Sequence, residues 1–167
     1  MQSLEEMRAF FAARVDIYDE HMRNEVEGCR EGYARMAALL PEGIHSLLDL
    51  GCGTGLELEG IFARFPDLRV TGIDLTAEML AKLREKFPDK HLALIEGDYF
   101  CVDFGAESFD AAVSFQSLHH FVPEKKRALF ERLAKALKPG GVYVQCDYAA
   151  ESEESEARYF QELARLK

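Results

Sequence analysis

The run Leu47-Leu48-Asp49-Leu50, followed by Gly51-Cys52-Gly53-Thr54-Gly55, constrains this chain more than any other stretch. An apolar segment carrying one acid leads into three glycines at alternate positions. Glycines there permit positive φ and let another group approach the backbone closely. Leu58, Ile61, Phe62 and Phe65 follow at the i, i+3, i+4, i+7 spacing of one helix face. The segment therefore reads as strand, tight turn and helix, and the first amides of that helix lack partners and can receive a polar ligand. A second strand-like run, Arg69 to Ile73, ends at Asp74, nineteen residues after Gly55. That is close to the roughly 20 residues at which a doubly wound fold places an acid for ribose hydroxyls. A dinucleotide fingerprint is G-x-G-x-x-G; here the third glycine comes one residue early, and Leu56 stands at the fingerprint's last position.

The 167 residues suffice for one domain with a real core, and a hydrophobic fraction of 48% argues against disorder. Thirty acids against 20 Lys plus Arg give a net charge of −10, which argues against a broad phosphate-tracking surface and so against nucleic acid as partner. Cys29, Cys52, Cys101 and Cys146 form no C-x-x-C pair. They read as free thiols in a reducing cytoplasm, and no metal site is expected. No apolar run approaches the roughly 18 residues of a membrane span, and the N-terminus lacks a signal peptide's apolar stretch.

Leu4, Met7, Phe11, Val15, Tyr18 and Met22 recur as the stripe of one amphipathic helix. A second helix is expected over Glu25–Leu40. Strands follow at Ser46–Leu50, Arg69–Asp74, His91–Glu96, Phe109–Phe115 and Val142–Cys146. Between them, Thr76 is a suitable N-cap for a helix turning Met79, Leu80, Leu83 and Phe87 inward. Pro123 suits the first turn of another, whose inner face would be Phe130, Leu133, Ala134 and Leu137, with Pro139-Gly140-Gly141 as its breaker. Ser152–Lys167 reads as a last, charged helix. The alternation predicts an α/β fold, doubly wound, with a mainly parallel sheet and helices on both faces. Residues 1–45 would form a helical N-terminal part and 46–167 the Rossmann-like domain, together one globular unit.

The D-x-G-x-G-x-G loop closely resembles motif I of the class I S-adenosylmethionine (SAM)-dependent methyltransferases. Gly72-Ile73-Asp74-Leu75-Thr76-Ala77-Glu78-Met79-Leu80 resembles the family's second motif and Gly97-Asp98-Tyr99 its third. Leu137-Lys138-Pro139-Gly140-Gly141 resembles the turn before its fifth strand, whereas Asp103 departs from the usual Leu-Pro-Phe. The resemblance covers roughly residues 46 to 148, and more loosely Phe10 to Asp19, which looks like the family's N-terminal lid segment.

The resemblance implies a set of roles. Asp74 would hold the ribose hydroxyls and Leu75 the adenine, with Met79 read equally as pocket or core. Asp98 would accept from the adenine amino group and the Tyr99 amide would face a ring nitrogen. Gly51, Cys52, Gly53 and Gly55 form the loop around the aminoacid end, and Asp49 would steady the loop and the ammonium. Phe115 or Gln116 would border the methionine portion, and Tyr18 would reach it from the lid. After the fourth strand, His119 is the candidate base facing the acceptor, although the family often carries Leu-His-His there for structural reasons alone. Tyr18, Asp19, Glu20 and His21 either border the acceptor or form a solvated face. The family's sheet has seven strands, so two C-terminal strands are expected to be missing from this sequence. The implied activity is methyl transfer from SAM to a small-molecule acceptor. A SAM-binding regulatory module without transfer activity and an NAD-dependent oxidoreductase are the alternatives. The sequence assigns no oligomeric state.

Overall fold

Five strands, β1 (Ser46–Leu50), β2 (Arg69–Asp74), β3 (His91–Glu96), β4 (Phe109–Phe115) and β5 (Leu137–Cys146), pair in parallel in the order β3-β2-β1-β4-β5. The structure is a computed structural model and describes residues 4–119, 121–148, 152, 154, 155 and 158. All of β1 is buried, as a central parallel strand covered on both faces must be. Successive side chains alternate between faces. Leu47, Val70, Ala111 and Val113 enter one core, while Leu48, Leu50, Ile73 and Ala112 enter the other.

Helices α3 (Cys29–Leu39), α4 (Leu56–Arg64) and α5 (Ala77–Lys86) cover the first face. They contribute Met36 and Ala37, Leu58 and Ile61, and Leu80 and Leu83 to its core. Helix α6 (Pro123–Ala136) covers the second through Leu129, Leu133 and Ala136. Each fully buried leucine or isoleucine contributes about 1.5–3 kcal/mol through area removed from water. Helices α1 (Leu4–Ala12) and α2 (Val15–Asn24) lie apart from this layering. Met7 of α1 joins the α6 core and Met22 of α2 joins the α3–α4 core, so the pair bridges the two faces. Among the described residues no helix is long and apolar enough to cross a membrane.

Several boundaries differ from the sequence expectation, each for a local reason. The single N-terminal stripe is two helices, broken at Ala13 and Arg14. Arg14 folds back, its guanidinium 3.7 Å from the Phe10 ring centroid and donating to the Phe10 carbonyl at 3.2 Å. The second helix begins at Cys29 rather than Glu25, because Gly28 adopts φ 78° at its N-cap. On α6 the buried face is Leu129, Leu133 and Ala136; Phe130 is exposed against Tyr143, and Ala134 faces solvent. Pro139-Gly140-Gly141 does not separate helix from strand. β5 starts at Leu137 and absorbs the glycines in a register shift opposite Phe109–Ala111. Thr76 occupies the N-cap of α5 without a side-chain cap bond. The helix expected over Ser152–Lys167 lies outside the described residues, isolated positions excepted.

At the amino ends of the strands one carboxylate ties β1, β4 and β5 together. Asp110 Oδ2 accepts from the amides of His45 (2.8 Å) and Ser46 (2.9 Å) and from Ser46 Oγ (2.9 Å), while Oδ1 accepts from Lys138 Nζ (2.6 Å). Burial alone would raise this acid, but the Lys138, His45 and Ser46 hydrogen bonds outweigh it and hold the carboxyl well below the usual range. A depressed folded pKa adds stability above the unfolded carboxylate pKa, and that stability is lost as pH falls. Asp110→Asn is expected to cost about 1–3 kcal/mol at pH 7, the deficit shrinking toward pH 3. Urea unfolding at the two pH values checks this.

Candidate functional site

At the carboxyl ends of β1 and β4 the sheet's connections diverge, the chain leaving β1 toward β2 on one side and leaving β4 toward β5 on the other. Such a switch point leaves a crevice above the strand ends. The turn after β1 is hooked to its neighbour there: the amides of Gly51 and Cys52 both donate to the Ile73 carbonyl, at 2.8 and 3.1 Å. Gly51 has φ 72°, and a Cβ on it would lie 2.3 Å from Ser117 Oγ, so both its conformation and its neighbour require glycine. Gly55 caps α4 at φ 73° with Leu83 at 3.0 Å from where its Cβ would stand.

Asp74 locks the turn from across the crevice. Its Oδ2 accepts from the Gly53 amide and its Oδ1 from the Thr76 amide, each at 2.9 Å. Burial raises this carboxyl and those amide hydrogen bonds pull it back, leaving it above the ordinary value. Above this arrangement opens a cavity. Gly51, Gly53, Asp74, Leu75 and Met79 line it from the β1–β2 side. Asp98, Tyr99, Phe115 and Gln116 line it from β3 and β4, and Tyr18 closes it from α2. Met79 is both core, at 1% exposed, and wall. Asp98 fixes its own loop by accepting from the Phe100 amide at 2.9 Å.

Three of the expected residues lie beneath this cavity rather than on its wall. Gly55 shapes the turn. Cys52 is buried with its Sγ against Gly72, where an added Cβ would stand 2.8 Å away. Asp49 is fully buried, and as a carboxylate neither of its oxygens has a hydrogen-bond donor among the described residues. The loop is thus held by Asp74, and Asp49 faces Glu57, likewise buried on α4. The two acids hydrogen-bond once one carries a proton. Burial first, and then the charge of Glu57, push Asp49 far above the carboxylate range; burial pushes Glu57 up to about 7.

Other wall residues carried no motif to reveal them: Met7, Phe11, Ser117 and Phe121. Ser117 Oγ donates to the Tyr99 hydroxyl at 3.0 Å, and that hydroxyl donates to the Ser117 carbonyl at 3.2 Å, joining the loops after β3 and β4. Gln116 adopts φ 48°, a strained conformation for a residue with a side chain. Its Oε1 is buried without a hydrogen-bond partner among the described residues.

Helix α2 is fastened over the glycine turn by charge. Asp19 accepts from Thr54 Oγ1 and pairs with Lys86 at 2.6 Å, while Arg23 pairs with Glu59. Asp19 is therefore part of this latch, whereas Glu20 is exposed. A second cavity, about 250 Å³ and open to solvent, lies under α1 and α2. It shares Phe11, Tyr18 and Gln116 with the first, and His21 and His119 line it.

With this geometry in place, likeness to known proteins becomes informative. A family model described as "methyltransferase domain" matches residues 47–141. An uncharacterized methyltransferase of Mycobacterium tuberculosis is 32% identical over 108 residues, covering 65% of this chain and 53% of the relative. A trans-aconitate 2-methyltransferase of Rhodopseudomonas palustris is 30% identical over 124 residues, 74% of this chain and 46% of the relative. The chain spans about half the length of the curated relatives it matches. Among solved structures, a DhpI-SAM-HEP complex superposes with TM-score 0.72 at 24% identity, covering 95% of this chain and 73% of that one, a likeness of fold. A S-adenosylmethionine dependent methyltransferase from Mesorhizobium loti is 35% identical with TM-score 0.53, covering 66% and 50%.

The buried acid pair gives the free protein a pH signature. A carboxyl whose folded pKa is raised lends its full stability below the unfolded value, 4.5 for Glu57, and loses it as pH rises through about 7. Stability is therefore expected to fall between pH 5 and pH 8. Glu57→Gln should flatten that fall and raise stability at pH 8 by about 1–3 kcal/mol, as thermal unfolding at both pH values will report.

Proposed function

The chain belongs to the methyltransferase-domain family, and from that premise we propose that it binds SAM in the first cavity and transfers the methyl group to a small molecule held in the second. The observation that carries this reading is the Asp74 carboxylate. It is anchored by the Gly53 and Thr76 amides and borders the cavity with lone pairs left to receive a diol. The other residues fit the same ligand. Leu75, Met79 and Tyr99 offer apolar surface for a purine, with Asp98 at its edge as acceptor for an exocyclic amine. The backbone of Gly51 and Gly53 admits the aminoacid portion. The Asp49–Glu57 pair, which shares a proton under the loop, leaves one negative charge there to suit its ammonium once Glu57 is ionised. Tyr18 and Phe115 stand where the sulfonium end would lie, with Gln116 on the boundary between the cavities.

Bound there, SAM supplies an electrophilic methyl group on positively charged sulfur. The chain's own contribution is then orientation and exclusion of water. Helices α1 and α2 act as the lid, with residues 1–45 contributing both that lid and, through α3, part of the sheet's cover. The acidic net charge favours a small acceptor over a nucleic acid. Four free thiols, two of them buried, suit a reducing cytoplasm. A nicotinamide-dependent oxidoreductase is disfavoured by the glycine spacing and the family match.

Calorimetric titration tests the assignment. Wild-type protein is expected to bind SAM and S-adenosylhomocysteine but not NADH. Asp74→Ala should weaken binding by about 10- to 100-fold, the loss of charged hydrogen bonds to two hydroxyls. Unchanged affinity in that variant removes the ribose role. Loosening the latch with Lys86→Met should leave affinity within a few-fold while speeding ligand dissociation in stopped-flow displacement.

A further inference from the structure

His119, on the wall of the second cavity, is paired with Asp147 in a way that binding SAM does not itself require. Nδ1 of His119 lies 2.6 Å from Asp147 Oδ1. Asp147 is held in turn: its Oδ2 accepts from the Leu118 amide at 2.7 Å and its Oδ1 from the Tyr148 amide at 3.0 Å. The side chains are 12% and 5% exposed, and the Tyr148 ring meets the imidazole edge-on at 5.3 Å. Topology explains the meeting. β4 and β5 are parallel neighbours with Phe115 opposite Cys146, and the Gln116 amide donates to the Cys146 carbonyl at 2.7 Å. The segments leaving the two strands therefore emerge side by side.

Burial would raise Asp147, but hydrogen bonds from His119, Leu118 and Tyr148 outweigh it and hold the carboxyl below its usual value. An ionised Asp147 can only accept, so Nδ1 of His119 carries the proton and Nε2 is the basic nitrogen. We propose that His119 is the general base of the transfer, that Asp147 positions it, and that the acceptor is a small apolar molecule bearing an un-ionised hydroxyl, methylated on oxygen. This rests on the SAM reading above and deepens it.

The surroundings narrow the acceptor class. A base is needed only for an acceptor that arrives protonated. A carboxylate needs none, and an ammonium would meet the guanidinium of Arg14 on the same cavity. Phe10, Phe11, Ile17 and Met22 make the rest of the wall apolar. In the step, Nε2 of His119 takes the hydroxyl proton as the oxygen–carbon bond forms. The carbon–sulfur bond breaks with its electron pair left on sulfur. The positive charge thereby passes to the imidazolium, which Asp147 stabilises.

The ionisable groups facing the imidazole are Asp147 and Tyr148 after β5, and Arg14, Tyr18 and His21 across the cavity, His21 being paired with Glu25 at 2.8 Å. Tyr99, Tyr143 and Cys146 lie near enough to Asp147 to feel its charge.

The test uses phenol and catechol as acceptors, with benzoate and benzylamine beside them, and measures release of S-adenosylhomocysteine. Phenols should be methylated and the other two not. Asp147→Asn should lower kcat by 100-fold or more, leave SAM affinity and the phenol KM within a few-fold, and remove the pH–rate limb of the base. His119→Ala should lose activity and regain part of it with added imidazole, which a structural role would not allow. In the ligand-free protein, a downfield imidazole N–H proton resonance should vanish in Asp147→Asn. Transfer to benzoate or benzylamine alone, no turnover of any phenol by protein that binds SAM, or an unchanged kcat in either variant overturns the proposal. Failure of wild-type protein to bind SAM overturns the earlier reading and this one with it.

Discussion

The placement of β1 between β2 and β4 decides where this molecule can work. The connection leaving β1 runs toward β2 and the one leaving its neighbour β4 runs the other way toward β5, so a gap must open where the two strands end side by side. The polar groups of that gap come mostly from strand ends: the glycine turn from β1, Asp74 from β2, Asp98 from β3, and Gln116 and His119 from just beyond β4. The amino ends do a different job. There Asp110 joins β1 to β4 and Lys138, and the contacts are saturated, leaving nothing for a ligand to satisfy.

Acids dominate the chemistry of the gap, and each is treated differently by its surroundings. Asp74 receives two amides and stays oriented. Asp49 receives none and Glu57 only a backbone amide, its own, so burial drives them to share a proton. Asp147 receives two amides and an imidazole and stays ionised. The N-terminal helices complete the arrangement: Tyr18 over Gly53 and Asp19 on Thr54 and Lys86 fasten α2 to the glycine turn.

Most of the sheet was legible because buried parallel strands are continuous apolar runs bounded by turns, and β1 to β4 fall where that pattern puts them. β5 was misjudged because Pro139-Gly140-Gly141 reads as a breaker, whereas a register shift against β4 accommodates it within the strand. The α6 face was misplaced by one position, since Leu129 and Ala136 point inward only given how the helix sits on β5. The break at Arg14 was invisible because an unbroken stripe of apolar residues does not show that two ends serve different cores.

By itself the sequence determined the strand–glycine–helix unit, the spacing to Asp74 and the order of elements, because these depend on local propensity and periodicity. Only the tertiary structure decided which acids meet. Asp49 finds Glu57 eight positions along because the turn folds α4 back over β1, and His119 finds Asp147 because β4 and β5 lie side by side. Hydrogen bonds between residues far apart in the chain leave no period in it, so the pairing could be seen only once the sheet had assembled.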